Sequence, residues 1–75
     1  MEDDTRVTML AKNIKRFRAK RGFSQEDLAR AAGVTYSALS KIEAGYSQDP
    51  RVKTLQKISR ALDVTIDDLL REEEE

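Results

Sequence analysis

The chain is 75 residues long and contains no cysteine and no histidine, so one small domain is expected, and a disulfide framework, a zinc finger and any Cys/His nucleophile pairing are excluded. The acidic start Met1-Glu2-Asp3-Asp4, and the lack of any apolar run near the roughly 18 residues of a membrane span, predict neither export nor anchoring and make the cytosol the default location. The 14 basic and 14 acidic residues cancel overall, but thirteen bases against four acids lie between Thr5 and Arg60, a net of +9, so a basic body sits between acidic ends.

Leu10, Ile14 and Phe17 recur at i, i+4 and i+7, which predicts an amphipathic helix over 7–21. Gly22 stops it, Lys20 and Arg21 suit its negative pole, and Phe23 is expected to tuck beneath it. Ser24, with Asp27 three residues later, forms a variant capping box for a second, short helix that turns Leu28, Ala29 and Ala32 inward and ends at Gly33. Thr35 is expected to cap a third helix with Leu39 and Ile42 inward, Val34 sealing the corner before it and Gly45 ending it. Asp49-Pro50 predicts the start of a fourth, with Asp49 as cap, Pro50 at the first helical position and Val52, Leu55, Ile58 and Leu62 on its apolar face. Asp63 occupies the place of a left-handed residue. Thr65-Ile66-Asp67-Asp68 then opens a fifth, short helix carrying Leu69 and Leu70.

No strand, internal repeat or dividing linker is apparent. The expected fold is all-α, a compact five-helix bundle whose core spans about 7–70 between acidic tails at 1–4 and 71–75. The predicted core is Leu10, Ile14, Phe17, Leu28, Val34, Leu39, Ile42, Leu55, Ile58, Leu62 and Ile66.

Two short helices joined across Gly33, with the small Ala29 where they cross, match the needs of a helix-turn-helix. The outward positions of the second of them, Thr35, Tyr36, Ser37, Ala38, Ser40 and Lys41, are small, polar and nearly uncharged. Such a face can approach base edges that a fully charged one would be held away from. The run S-Q-E-D-L-A-R-A-A-G-V-T-Y-S-A-L-S-K-I-E-A-G from Ser24 to Gly45, then Pro50 and the closing A-L-D-V-T-I-D-D-L-L, resembles the Xre/Cro family, which includes the lambdoid phage repressor domains. The resemblance covers roughly Leu10 to Leu70.

It implies a DNA-binding bundle in which the third helix enters the major groove of double-stranded DNA in a prokaryotic cytosol or nucleoid. On that pattern Tyr36, Ser37 and Lys41 face base edges, with Thr35 and Ser40 at the margins. Lys41 can donate to guanine, and a serine hydroxyl can serve any base. Gln25, at the positive end of the second helix, would meet a phosphate, as would Arg51 and the Tyr46-Ser47-Gln48 loop. That loop departs from the pattern by lacking basic residues and gaining Asp49. Arg18 and Glu43 match a structural ion pair that orients the third helix.

The function implied is a sequence-specific transcriptional regulator, a repressor, binding a palindromic operator as a homodimer, because one such reader covers only a half-site. Adjacent Leu69 and Leu70 cannot both enter one small core, so Val64, Ile66, Leu69 and Leu70 are the expected dimer surface. A contrasting expectation is a protein-interaction module of the same fold, an antitoxin or adaptor with little DNA contact. Catalysis would have only scattered carboxylates such as Glu43 and Asp49 to draw on, so no enzyme is expected. No cofactor, metal or small-molecule ligand is implied. The basic stretch Lys12 to Arg21 is expected to be a solvated face whose field steers association, and Glu72 to Glu75 a solubilising end.

Overall fold

Helix α1 runs from Thr5 to Arg21, two residues longer at its start than the apolar pattern requires. The structure, a computed structural model, describes residues 5–46 and 50–71, with side chains from Met9 onward. α2 (Gln25–Ala32), α3 (Tyr36–Glu43), α4 (Val52–Leu62) and α5 (Ile66–Leu70) follow, and no strand occurs among the described residues. None of these helices is long and apolar enough to cross a membrane.

Local chemistry sets most of the boundaries. Ser24 Oγ accepts from the Asp27 amide at 3.0 Å while Asp27 Oδ2 accepts from the Ser24 amide at 3.0 Å, a reciprocal capping box. Thr65 and Asp68 repeat the arrangement at α5, at 3.0 and 2.9 Å. At the other ends the chain closes in the Schellman pattern. Val34 N–H reaches Ala29 O at 3.0 Å beyond α2, and Val64 N–H reaches Ser59 O at 2.9 Å beyond α4. The left-handed residue in the second case is Asp63, at φ 61°.

The start of α4 differs from expectation. Its N-cap is Arg51, extended at φ −67° and ψ 145° and making no side-chain capping bond, so Pro50 lies before the helix rather than in its first turn. Asp49, the expected cap, lies outside the described residues. Val52, expected on the apolar face, is 64% exposed, and the first buried residue of α4 is Leu55. Arg51 is extended, and Pro50 and Arg51 line one concavity with Ser37, Ala38, Lys41 and Ile42 of α3.

α1 packs on α3 and α5, while α2 packs on α3 and α4. Between them lies one buried cluster of Leu10, Ile14, Leu28, Ala29, Ala32, Leu39, Ile42, Leu55, Ile58, Leu62 and Leu69. Each large aliphatic side chain so buried contributes about 1.5–3 kcal/mol. Phe17, Val34 and Ile66, expected inside, are half-buried at the edge of this cluster, as is Phe23, whose ring lies 5.6 Å from the Arg21 guanidinium. Leu69 requires a correction, because it is fully buried in the bundle and cannot also face a partner. The adjacency argument separates the pair: Leu69 points in, and Leu70 is left half-buried with Val64 and Ile66.

Asn13 is the polar exception in this interior. It is fully buried, and its Nδ2 donates to Leu69 O at 2.8 Å and Arg71 O at 2.7 Å, with Asp68 O at 3.4 Å. The last carbonyls of a helix have no partner within it, and here a side chain from α1 supplies donors across the fold.

Candidate nucleic-acid interface

Gly33 makes the corner on which the site depends. It sits at φ 73° and ψ 30°, so α2 ends there and the chain turns into Thr35, which caps α3 by accepting from the Ala38 amide at 3.0 Å. This break places the first turn of α3 at the surface. Tyr36 is 52% exposed, Ser37 and Lys41 are exposed, and Leu39 and Ile42 on the opposite face are buried. One outward ridge therefore carries Tyr36, Ser37 and Lys41. Ser40 is half-buried beside it, and Thr35 is exposed with its hydroxyl oxygen engaged in the cap.

Beside the ridge lies an open concavity of about 410 Å³, lined by Thr35, Ser37, Ala38, Lys41, Ile42, Pro50, Arg51 and Thr54. Among the described residues its charged lining is cationic. Lys41 and Arg51 are both exposed at its rim, and neither α3 nor α4 has an acidic residue in its first turn to offset the positive end of its dipole. Hydroxyls from Thr35, Ser37 and Thr54 complete a lining suited to an anionic, hydrogen-bond-accepting surface. Thr54 was not anticipated from the sequence. It is a half-buried polar position of α4, and apolar periodicity gives no reason to single it out.

The far end of α3 is held from below. Glu43, with 1% of its side chain exposed, accepts from Arg18 Nε through Oε2 at 2.9 Å and from Arg18 Nη2 through Oε1 at 3.0 Å. Arg18 Nη1 also donates to Phe23 O at 3.0 Å, so one guanidinium links α1, the α1–α2 turn and α3. Gln25 joins this group: its Nε2 donates to Glu43 Oε1 at 3.0 Å. The residue expected to face a phosphate thus uses one of its two amide hydrogens inside the protein.

The α2 start is acidic as well as capped. The Ser24 backbone N–H, then its hydroxyl, hold the Asp27 carboxyl below the usual carboxylate range, with Arg30 adding a smaller charge effect. Tyr46 is 78% exposed just past α3. Ser47 and Gln48, expected with it at the backbone, lie outside the described residues.

A family model described as Helix-turn-helix matches residues 14–69, most of the chain. The chain belongs to that family. The HTH-type transcriptional regulator SinR of Bacillus licheniformis is 40% identical over 67 residues, which cover 89% of this chain and 60% of SinR. The chain thus spans well under two thirds of that helix-turn-helix protein. The N-terminal DNA-binding domain of SinR from Bacillus subtilis superposes with a TM-score of 0.83 at 40% identity, covering 89% of this chain and 97% of that domain. A structure of SinR in complex with DNA superposes with a TM-score of 0.79 at 39% identity, covering 83% of this chain and 98% of that one.

Proposed function

We propose that this chain is a sequence-specific double-stranded DNA-binding transcriptional regulator, acting as a repressor in a prokaryotic cytosol. The observation that carries this is the ridge of Tyr36, Ser37 and Lys41, exposed on α3 beyond the Gly33 corner and bordered by a concavity whose charged lining, among the described residues, is the cations Lys41 and Arg51. An exposed helix face of small, polar side chains fits a major groove, and the flanking positive potential fits the phosphates beside it. The likeness to SinR, solved in complex with DNA, supports DNA as the partner.

In this reading Tyr36, Ser37 and Lys41 contact base edges, with Thr35 and Ser40 at the margins. Gln25 and Arg51 contact phosphates, together with the Tyr46-Ser47-Gln48 loop. Lys41 supplies sequence preference and Arg51 supplies register. The unit that acts is the core of about 7–70, with 1–4 and 71–75 as acidic tails, and it needs neither metal nor cofactor.

The active species is a homodimer on a palindromic operator, since two-fold proteins match two-fold sites with half-sites about 34–36 Å apart. Val64, Ile66 and Leu70 form its contact, being the half-buried apolar residues of the last segment. Sedimentation with and without operator tests this part, and a monomer throughout would remove it.

A salt titration tests the function itself. Binding through several phosphates weakens in proportion on logarithmic axes as salt rises, whereas an apolar protein interface scarcely responds. Duplex affinity that falls steeply with salt supports the regulator. No duplex binding even at low salt would favour the protein-interaction module, whose best support is zero net charge and a loop before Pro50 that lacks bases.

A further inference from the structure

The geometry points to a phosphate subsite, which rests on the DNA-binding reading above: in the concavity lined by α3 and α4, Arg51 and the hydroxyl of Thr54 together hold one phosphodiester of the duplex. Its basis is where the chain leaves hydroxyls free. Ser24, Thr35 and Thr65 use theirs to cap helices, accepting from the amides of Asp27, Ala38 and Asp68 at 3.0, 3.0 and 2.9 Å. Ser59 turns its hydroxyl back on its own helix and donates to Gln56 O at 2.9 Å. Among the residues whose side chains are described, the serine and threonine hydroxyls that make no hydrogen bond are those of Ser37, Ser40 and Thr54. Ser37 and Ser40 stand on α3, whereas Thr54 stands on α4 and lines the concavity together with Ser37.

Thr54 has an internal alternative that it does not take. Inside a helix a threonine hydroxyl can bond the carbonyl three or four residues before it, here that of Arg51 or Pro50. Thr54, half-buried and restricted at χ1 by its branched Cβ, keeps its hydroxyl unbonded. Arg51 is in the same condition: its side chain makes no capping bond, and its exposed guanidinium has no ion pair or hydrogen bond with a described residue. A guanidinium can only donate, and a threonine hydroxyl can donate beside it. The ligand such a pair fits is anionic and rich in acceptors, and a phosphodiester, whose non-bridging oxygens share the charge, can accept from both at once. The Lys41 ammonium on the same concavity adds positive potential.

The probes are a mixed-sequence duplex at low salt and inorganic phosphate. Thr54→Val removes the hydroxyl and keeps the shape. It is expected to leave the urea midpoint unchanged and to weaken duplex binding about tenfold, near the low end for a hydrogen bond to a charged group. No charge is lost, so the salt dependence stays as it was, whereas Arg51→Gln lowers the logarithmic slope by about 0.9. In the Arg51→Gln background Thr54→Val has a much smaller effect, because the shared phosphate is no longer held. Duplexes selected from a random library by Thr54→Val carry the same half-site as those selected by the unsubstituted protein.

Full duplex affinity in Thr54→Val would overturn the subsite. So would equal fold losses in both backgrounds, which would mean that Thr54 and Arg51 hold different groups, a changed base preference, which would make Thr54 a base reader, or a lowered urea midpoint, which would make its hydroxyl a part of the fold. Inorganic phosphate separates DNA from a free anion as the source of the phosphate. In amide NMR spectra at fixed ionic strength the duplex is expected to move the Arg51 and Thr54 signals. No response to phosphate alone, or a response that duplex reverses, supports a subsite for DNA; phosphate that stays bound beside the duplex would overturn it. Failure of the unsubstituted protein to bind any duplex would instead overturn the DNA-binding reading and the subsite with it.

Discussion

Arg18 on α1 and Glu43 at the end of α3 meet through two parallel hydrogen bonds of 2.9 and 3.0 Å, with the carboxylate 1% exposed and the guanidinium side chain 21% exposed. The pair is worth less than its geometry suggests, because both charges leave water to form it. Removing one partner is another matter. Arg18→Leu strands a buried carboxylate and is expected to destabilise the fold by about 3 kcal/mol, whereas Arg18→Leu combined with Glu43→Leu recovers most of that loss. Urea denaturation of the two variants checks this, and equal losses in both would contradict it.

The α2–α3 corner rests on the left-handed backbone of Gly33. A Cβ added there meets no atom within 4 Å, so the whole penalty of Gly33→Ala is conformational, about 1–2 kcal/mol. The converse applies at Asp63, which holds φ 61° without being glycine. Asp63→Gly is expected to raise the unfolding midpoint, and a lowered midpoint would show that the Asp63 side chain contributes more than its backbone strain costs.

Asn13 anchors the end of α5 through bonds of 2.8 Å to Leu69 O and 2.7 Å to Arg71 O. Asn13→Leu leaves those carbonyls without their donor and is expected to cost about 2–3 kcal/mol. Asn13→Asp is expected to cost more, because it sets carboxylate oxygens against carbonyl oxygens. Hydrogen exchange should show the loss first in α5, and uniform destabilisation across the bundle would argue against a local anchor.

Much of the fold was legible because its boundaries are written in short-range chemistry. Ser24 with Asp27, Thr35, Gly33 and Thr65 with Asp68 each fix a helix end using atoms within a few residues. The start of α4 was not legible in the same way. Asp49-Pro50 has the local features of a helix start, yet the first turn begins at Val52, after an extended Arg51 that makes no side-chain capping bond. Asn13 and Gln25 were missed or incompletely placed for a related reason. Their partners lie 58 and 18 residues away, beyond the reach of periodicity.

Both capping boxes depend on a carboxylate, which gives stability a defined acid limb. Asp27 is held below its usual range first by the Ser24 backbone N–H, and Asp68 by that of Thr65. A carboxyl with a depressed folded-state pKa stabilises the fold above its unfolded value of about 3.9, and that contribution is lost as pH falls through the lower folded value. Stability should therefore decline below about pH 4, and Asp27→Asn combined with Asp68→Asn should flatten part of that decline. An unchanged acid limb in the double variant would show that other carboxylates govern it.

The central claim is that Tyr36, Ser37 and Lys41 read base sequence from the outer face of α3. Selection of bound duplexes from a random library, run in parallel with the unsubstituted protein and Lys41→Ala, tests it most directly. The account predicts a defined half-site for the first and, for the second, the same half-site with preference relaxed at one base position, by about 1–3 kcal/mol. Identical preferences from both proteins, or no enrichment from either, would contradict it.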